Sequence, residues 1–529
     1  MSGEAIQVLL ECRRRSEALR AMGYGFEQIA DVFAVYHEVS PLRVYRYTYG
    51  RTAAEAVALY NDLDPAGTAA LRESRLYDYE HWPRRGMRPT ARTVALFAQV
   101  YQTAARRLVT DEVYASYSLR DRQLIDRTDH RHLPAQQPSR APSPVSQHVT
   151  MGVEAARDMV PAPTVQDCAS LLRALRAEEA DVKRRDLLFE LALALGGAPA
   201  VILLRHLSAP EKDRLAAAVR SSTRVDSGTV EVIEKLTARC RRLDDDFGPE
   251  TVLPIVNGQR RLVADLLRRE TLLPGLRDRL TYAYAELNQL AGWLHHDLMD
   301  YAGAHRRYQE ALTAAHEVAD PTLISYLHTC LSGMSLHQGL VGEALDHIFA
   351  AQGWARQSVS TVLRSVHAMD LARALATAGR VRESEQALAQ SRHFIDQPRS
   401  EADPSYLYWW SPNGVRKNTA FCMLAWGRPD DAIDAVERTL AAPITRKLAR
   451  GEALLYYARA LTQKREIPTA VDKIRGAAQI TIGHSSGRLA ESVRQARARL
   501  QPWADNKHVR LLDEELRSLG IIAGVSGLA

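Results

Sequence analysis

The segment DYAGAHRRYQEAL, Asp300–Leu312, returns four times further down the chain in altered form. It reads GLVGEALDHIFAA at Gly339–Ala351, GRVRESEQALAQS at Gly379–Ser391, GRPDDAIDAVERTL at Gly427–Leu440 and REIPTAVDKIRGA at Arg465–Ala477. A small residue recurs in each, with an apolar residue four positions on. The small residues are Ala304, Ala344, Ser384, Ala432 and Ala470, spaced by 40, 40, 48 and 38 residues. A period of that length suits stacked helix hairpins, because each pair must bury its apolar stripe on the next. The turn glycine ends one helix. The small residue lets two helices cross closely, and the residue four later packs on the same face.

This pattern resembles tetratricopeptide repeats, stretched beyond the roughly 34 residues usual for them. The best match is AGWLHHDLMDYAGAHRRYQEAL, with Trp293, Ala304, Tyr308 and Ala311 in the signature positions. The repeats are clearest over 286–480. Residues 165–285 look helical without a clean signature, which leaves a cap, degenerate repeats or a dimer element open.

Outward from the repeats, the chain reads as helical throughout. Runs of Val, Ile and Thr at period two are almost absent. Apolar residues recur at helical spacing, as in Ala91, Val94, Ala95 and Ala98 and again in Leu171, Leu172 and Leu175. Leu133–Thr164, rich in Pro, Ser and Gln with no sustained apolar period, has linker composition. The expected architecture is therefore all-α. An N-terminal unit over 1–132 is followed by a linker over 133–164 and a helical repeat domain over 165–529.

Composition narrows the function. The chain has 529 residues, 46% apolar and 25% charged, the ordinary globular range. No apolar run approaches the roughly 20 residues of a membrane span. Met1–Arg20 carries charges throughout, unlike a secretory signal. These features lead us to expect a cytoplasmic protein without a membrane partner. Lys plus Arg is 69 against 63 for Asp plus Glu, so the net charge of +6 is mild and any basic site must be local. Only eight of the 69 are lysine, and none precedes Lys183. Cys12, Cys168, Cys240, Cys330 and Cys422 are odd in number and far apart, neither a disulfide framework nor a CxxC metal site.

The N-terminal unit carries the sharper functional signal. Thr52 is a plausible N-cap with Glu55 three residues on, the pattern of a capping box. A short helix is predicted over Glu73–Trp82, then the basic turn Pro83–Pro89, then a further helix over Thr90–Tyr101. Between Arg72 and Arg107 there are eight Arg against Glu73, Asp78 and Glu80, a local net of +5. Leu76 and Tyr79 share a face, with Trp82 nearby, and that face is expected to pack inward. Arg72, Ser74, Arg75 and Tyr77 fall on other faces of the helix or at its start. Arg pairs bidentately with guanine in the major groove, whereas Arg84, Arg85 and Arg88 in the following turn suit phosphates. Glu80 is expected to be structural, since DNA repels a carboxylate. The plain alternative is an Arg-rich solvated face.

The order of these elements resembles the phage Cro/repressor-type (XRE) helix-turn-helix. Tyr79-Glu80, the turn Arg84–Pro89 and Val100-Tyr101 stand where that family ends its third helix, turns and ends its next helix. About nine extra residues, Leu63–Leu71, separate the second and third helices relative to the compact family turn. The closer similarity is to actinobacterial regulators joining this module to tetratricopeptide repeats, among them the negative regulators of Streptomyces differentiation. Segments like Asp78–Pro83 and Leu119–Pro134 recur there. The resemblance implies a transcriptional regulator of development or secondary metabolism, acting as a repressor on double-stranded DNA and nucleoid-associated when bound. A homodimer is expected because two half-sites multiply the affinity of one small head. The repeat domain would dimerise or take a peptide, small-molecule or protein effector. The competing reading is a protein-interaction adaptor whose helical head touches no DNA.

Other chemistry has little behind it. His295, His296, Asp297, Asp300 and His305 lie near helical spacing but lack an HExxH pair. Asp129-His-Arg-His132 borders the linker and reads as solvated. No GxxxxGK[ST] loop occurs and the cysteines lack local His partners, so we expect no catalytic residues, no metal and no cofactor. Tyr406-Leu-Tyr-Trp-Trp410 is the densest aromatic cluster. Tyr406, Tyr408, Trp409 and Trp410 either form a ligand or partner platform on the concave face of the repeats or pack into a hairpin core.

Overall fold

A computed structural model describes residues 3–21, 25–37, 39–63, 71–129, 182–197, 199–220, 225–269, 272–401, 403–444 and 446–523. The expected linker 133–164, the interior of the Leu63–Leu71 insertion, Leu171–Leu175, Cys168 and His130–His132 lie outside them. Among the described residues the fold is all-α, with short 3-10 turns and no strand. None of the described helices is long and apolar enough to cross a membrane. The chain divides into two compact units, Met1–Ala180 and Asp181–Ala529.

The first unit holds α1 (Gly3–Ala21), α2 (Phe26–Tyr36), α3 (Pro41–Thr48), α4 (Ala53–Asp62), α5 (Glu73–His81), α6 (Ala91–Val100), α7 (Asp111–Ala115) and α8 (Leu119–Asp129). Threonine N-caps start three of them. Thr52, Thr90 and Thr110 each accept the backbone N–H three residues on, satisfying donors the helix itself cannot. At Thr52 the bond is reciprocated by Glu55, completing the capping box. Ile29, Phe33, Leu76, Phe97, Tyr101 and Ile125 fill the core. The insertion between α4 and α5 is tied at its ends. The Asn61 amide accepts from the Leu71 N–H at 3.0 Å and donates to the Leu71 carbonyl at 3.2 Å.

The second unit begins with α9 (Val182–Ala194), α10 (Ala200–Leu204) and α11 (Ala209–Arg220), followed by a long pair, α12 (Ser227–Phe247) and α13 (Pro249–Leu267). Six further helix pairs follow: α14 (Pro274–Asp297) with α15 (Tyr301–Glu317), α16 (Pro321–His337) with α17 (Val341–Ala355), and α18 (Thr361–Thr377) with α19 (Val381–Ile395). Then come α20 (Pro412–Ala425) with α21 (Pro429–Ala441), α22 (Lys447–Gln463) with α23 (Ile467–Ile482), and α24 (Gly487–Arg499) with α25 (Lys507–Ser518).

The sequence repeat is a backbone repeat in the first five of these pairs. Ala304, Ala344, Ser384, Ala432 and Ala470 are each the fourth residue of the second helix and fully buried. Ser384 is tolerated there because its hydroxyl donates to the Ala372 carbonyl at 2.6 Å. Tyr308, Ile348, Leu388, Val436 and Ile474, four residues on, are buried beside them. Five residues before each small residue, the turn carries positive φ: Met299 +66°, Gly339 +79°, Gly379 +73°, Gly427 +74° and Arg465 +63°. The left-handed residue ends the first helix and aims the chain into the second.

The array returns to its own beginning. Arg446, just before α22, pairs with Asp245 of α12, and Lys447 Nζ donates to the Asp246 carbonyl at 3.0 Å. Ser486 and Arg488, at the start of α24, donate to the buried Asp297 carboxylate at the end of α14, at 2.8 and 3.1 Å. The first helices of the pairs, together with α12, thereby ring a common interior.

Candidate functional site

Two places in the chain gather charge and shape, one in each unit. In the first unit, α5 is held from behind. Glu80 is 3% exposed, and its carboxylate takes both Arg46 Nε at 2.5 Å and Arg46 Nη2 at 2.8 Å, a buried bidentate pair with α3. Its backbone carbonyl accepts from Ser40 Oγ at 2.7 Å. Leu76 is fully buried and Tyr79 and Trp82 are half-buried, so the expected inner face is the one that packs.

Ser74 is exposed on the opposite side, Arg72 is exposed at the N-cap, and Arg75 is half-buried with its guanidinium laid toward Met87 Sδ at 2.7 Å. Arg84, Arg85 and Arg88 are exposed in the turn that follows. That turn folds back on the helix, with Met87 N–H donating to the Asp78 carbonyl at 3.3 Å. Gly86 sits there with φ +88°, and a Cβ would fall 2.2 Å from the Asp78 oxygen, so only glycine fits. Arg88 reaches away to the Ser116 carbonyl at 2.5 Å and lies over the Tyr117 ring.

Tyr77 departs from the expected set. Its hydroxyl is buried with no hydrogen-bond partner among the described residues and Arg46 lies over its ring, so it faces inward instead of joining Ser74 and Arg75. A tyrosine beside a buried arginine finds cation–π contact on the inner face that the sequence alone did not reveal.

In the second unit, the interior ringed by α12, α14, α16, α18, α20, α22 and α24 contains a cavity of about 360 Å³, within the size range of small-molecule sites. The aromatic cluster lines it. Its two tryptophans part company. Trp410 is 3% exposed, its Nε1 donating to Ser365 Oγ at 3.0 Å, while Trp409 stays half-buried under Arg446. Tyr406 stacks on Tyr326 at 4.8 Å, and Tyr408 donates to Asp245 and to the Arg241 carbonyl. Core packing and cavity wall thus divide the cluster between them.

Seven basic and four acidic side chains line the cavity, so its wall is net positive. The acids are mostly engaged. Asp245 pairs with Arg446, Asp370 with Arg373 at 3.0 Å, and Glu452 with both Lys417 and Arg488. Against the opposing effect of burial, Lys417 and Arg488 hold the Glu452 carboxyl below the usual range. Asp244 is the exception. Burial first, and the neighbouring Asp297 second, push it up to about 7, and its carboxyl accepts from Trp293 Nε1 at 3.0 Å. Burial, then the Arg488 charge, lowers His337 to about 4 and keeps His296 well below its ordinary value.

Elsewhere, His295 Nδ1 lies 2.9 Å from Asp300 Oδ2, while the other oxygen of Asp300 caps α15. Among the described residues no group of three His, Cys, Asp or Glu is placed to hold a metal ion. The Cys330 thiol, which faces the cavity, is pushed up to about 12 by burial, the opposite of an activated nucleophile. Sequence reasoning missed the rest of the cavity wall because its residues come from seven separate helices. No family model and no curated protein sequence matches the chain.

Proposed function

We propose that the chain is a sequence-specific DNA-binding transcriptional regulator, with an XRE-type helix-turn-helix in its N-terminal unit and tetratricopeptide-like repeats in its C-terminal unit. In this reading α4 and α5 are the two helices of the motif, and α5 enters the major groove. The observation behind it is the two-sided character of α5. Its inner face is locked by the buried Arg46–Glu80 pair, while Arg72, Ser74 and Arg75 lie outward and Arg84, Arg85 and Arg88 crowd the next turn. A rigidly held helix presenting Arg beside a basic turn suits base reading flanked by phosphate contacts. The regulator acts as a cytoplasmic homodimer that associates with the nucleoid and represses developmental or secondary-metabolic genes. Its repeat domain dimerises or takes the effector.

The test is a genome-wide DNA pull-down with sequencing, using the wild type and an Arg72→Ala/Arg75→Ala variant. The expected outcome is a shared palindromic motif that the variant loses. On that operator, Arg75→Ala costs about 1–3 kcal/mol and relaxes one base preference, while Arg85→Ala weakens all duplexes alike and lowers the salt slope by about one. Equal losses on operator and random duplex for both variants would remove the base-reading role of Arg75. Absence of any duplex binding would leave an adaptor.

A further inference from the structure

The cavity of the second unit contains groups that its own wall leaves unanswered. Asp244 Oδ1, His296 Nε2 and the Tyr406 hydroxyl belong to side chains at most 5% exposed, and none has a hydrogen-bond partner among the described residues. Arg373 Nε and Arg488 Nη2 are buried and likewise have no partner among the described residues. Buried polar atoms in folded proteins are almost always satisfied, so several orphans around one cavity point to a ligand or ordered water.

The charge is just as specific. Five of the seven lining cations, Arg241, Arg373, Lys417, Arg446 and Arg488, have carboxylate partners. Arg459 of α22 and Arg499 of α24 have neither an ion pair nor a hydrogen bond among the described residues. Both line the cavity, from α22 and α24, which pack on each other, and burial, then the charge of Arg499, lowers Arg459. Ser492 and Gln495 line the cavity from the same face of α24 as Arg499. Three residues before Arg459, about 4.5 Å along the axis, stands Tyr456. Its ring meets Phe421 edge-on at 5.9 Å, and Arg373 lies over Phe421.

We propose that this cavity binds a small organic anion carrying a flat ring, with the anionic group on Arg459 and Arg499 and the ring against Phe421 and Tyr456. A planar guanidinium pair suits carboxylate, sulfonate and phosphate alike, and the three-residue offset matches an anionic group attached directly to a ring system. The proposal deepens the effector half of the function above and rests on it only for the regulatory consequence, since binding itself is independent of DNA.

The probe is anilinonaphthalene sulfonate, titrated by fluorescence into the full-length protein, with the uncharged N-phenylnaphthylamine as control. One saturable site is expected. Arg459→Gln/Arg499→Gln weakens the sulfonate about tenfold or more, as loss of charge-assisted bonds requires, and leaves the uncharged amine unchanged. The variant also melts no lower than wild type, because like charges have been removed. In the wild type, raising salt from about 50 to 500 mM weakens the sulfonate and spares the amine. Displacement by naphthoate or by adenosine monophosphate tells a carboxylate source from a phosphate source. Equal sulfonate affinity in wild type and variant, or affinity indifferent to salt, overturns the proposal. Duplex binding by the same ligand-free preparations is scored separately and is expected to be unaffected, so failure of the cavity and failure of the DNA reading are distinct results.

Discussion

His367 illustrates at a single residue how the interior of the repeats resists charge. It is 2% exposed on α18, its Nε2 lies 3.1 Å from Ser325 Oγ, and its Nδ1 has no hydrogen-bond partner among the described residues. Burial alone lowers it to about 3 from the ordinary 6.5. The unfolded chain therefore takes up this proton near pH 6.5, and the folded chain does not until about 3. Stability supplied by the neutral ring is fully present above pH 6.5 and drains away as pH falls toward 3. His367→Leu removes the titration. It leaves Ser325 satisfied, since that hydroxyl also donates to the Ala351 carbonyl at 2.6 Å. Between pH 6.5 and 4 the stability of the wild type falls more steeply than that of the variant, by up to about 1.4 kcal/mol per pH unit. Urea melts at several pH values check it, and parallel stability–pH curves would exclude His367 as the cause. Glu80 is a buried carboxylate of another kind, met bidentately by Arg46 from another helix. Its structural role followed from sign alone, whereas the identity of its partner needed the fold.

Among the helices, the recurring turn is where sequence and backbone agree most closely. The spacing of the small residues located five helix pairs, because a buried small residue and a left-handed turn must recur together. Two of the five turns carry a side chain at positive φ, Met299 and Arg465. Arg465 is exposed and its side chain makes no hydrogen bond among the described residues, so nothing holds it there but the turn itself. Arg465→Gly is expected to stabilise the second unit by about 0.5–1 kcal/mol, and Gly379→Ala to destabilise it by about the same or more. Nothing lies within 4 Å of a Cβ at Gly379, so that cost is purely conformational. Thermal melting of the two variants is the measurement, and a lower melting temperature for Arg465→Gly would contradict the argument. The pair α12 and α13 had no such signature. Gly248 alone separates these helices, leaving none of the spaced small residues that marked the others. In the first unit, exposed Arg72 and Ser74 were legible because charged and hydroxyl side chains flank a buried Leu76. Tyr77 was not, since an aromatic ring with a polar tip is compatible with either face.

Across the second unit, what no local pattern foretold is closure. The contacts that bring α22 and α24 back to α12 and α14 join residues far apart in sequence, and each is an ordinary ion pair or hydrogen bond with no motif of its own. The contiguous run Tyr406–Trp410 stood out as either a ligand platform or core packing, and the unpaired Arg459 and Arg499 looked like any other arginines in an arginine-rich chain. Closure also explains the polarity of that interior. An open array would leave Asp245, Arg446, Asp297 and Arg488 in water, whereas here each is buried or half-buried against its partner. The Asp245–Arg446 contact is the most informative to break, because Tyr408 retains the Arg241 carbonyl when Asp245 is gone. A double-mutant cycle of Asp245→Ala and Arg446→Ala should return a coupling of about 1–3 kcal/mol in urea unfolding. In either single variant, amide hydrogen exchange should quicken in α12 and α22 together, because opening the ring releases both sides at once. The same variants should weaken anilinonaphthalene sulfonate without touching Arg459 or Arg499, since the wall facing those arginines would no longer be held. Exchange that quickens in α22 alone, with coupling near zero, would mean that the pair decorates the array and that the interior is shaped by the helix pairs themselves.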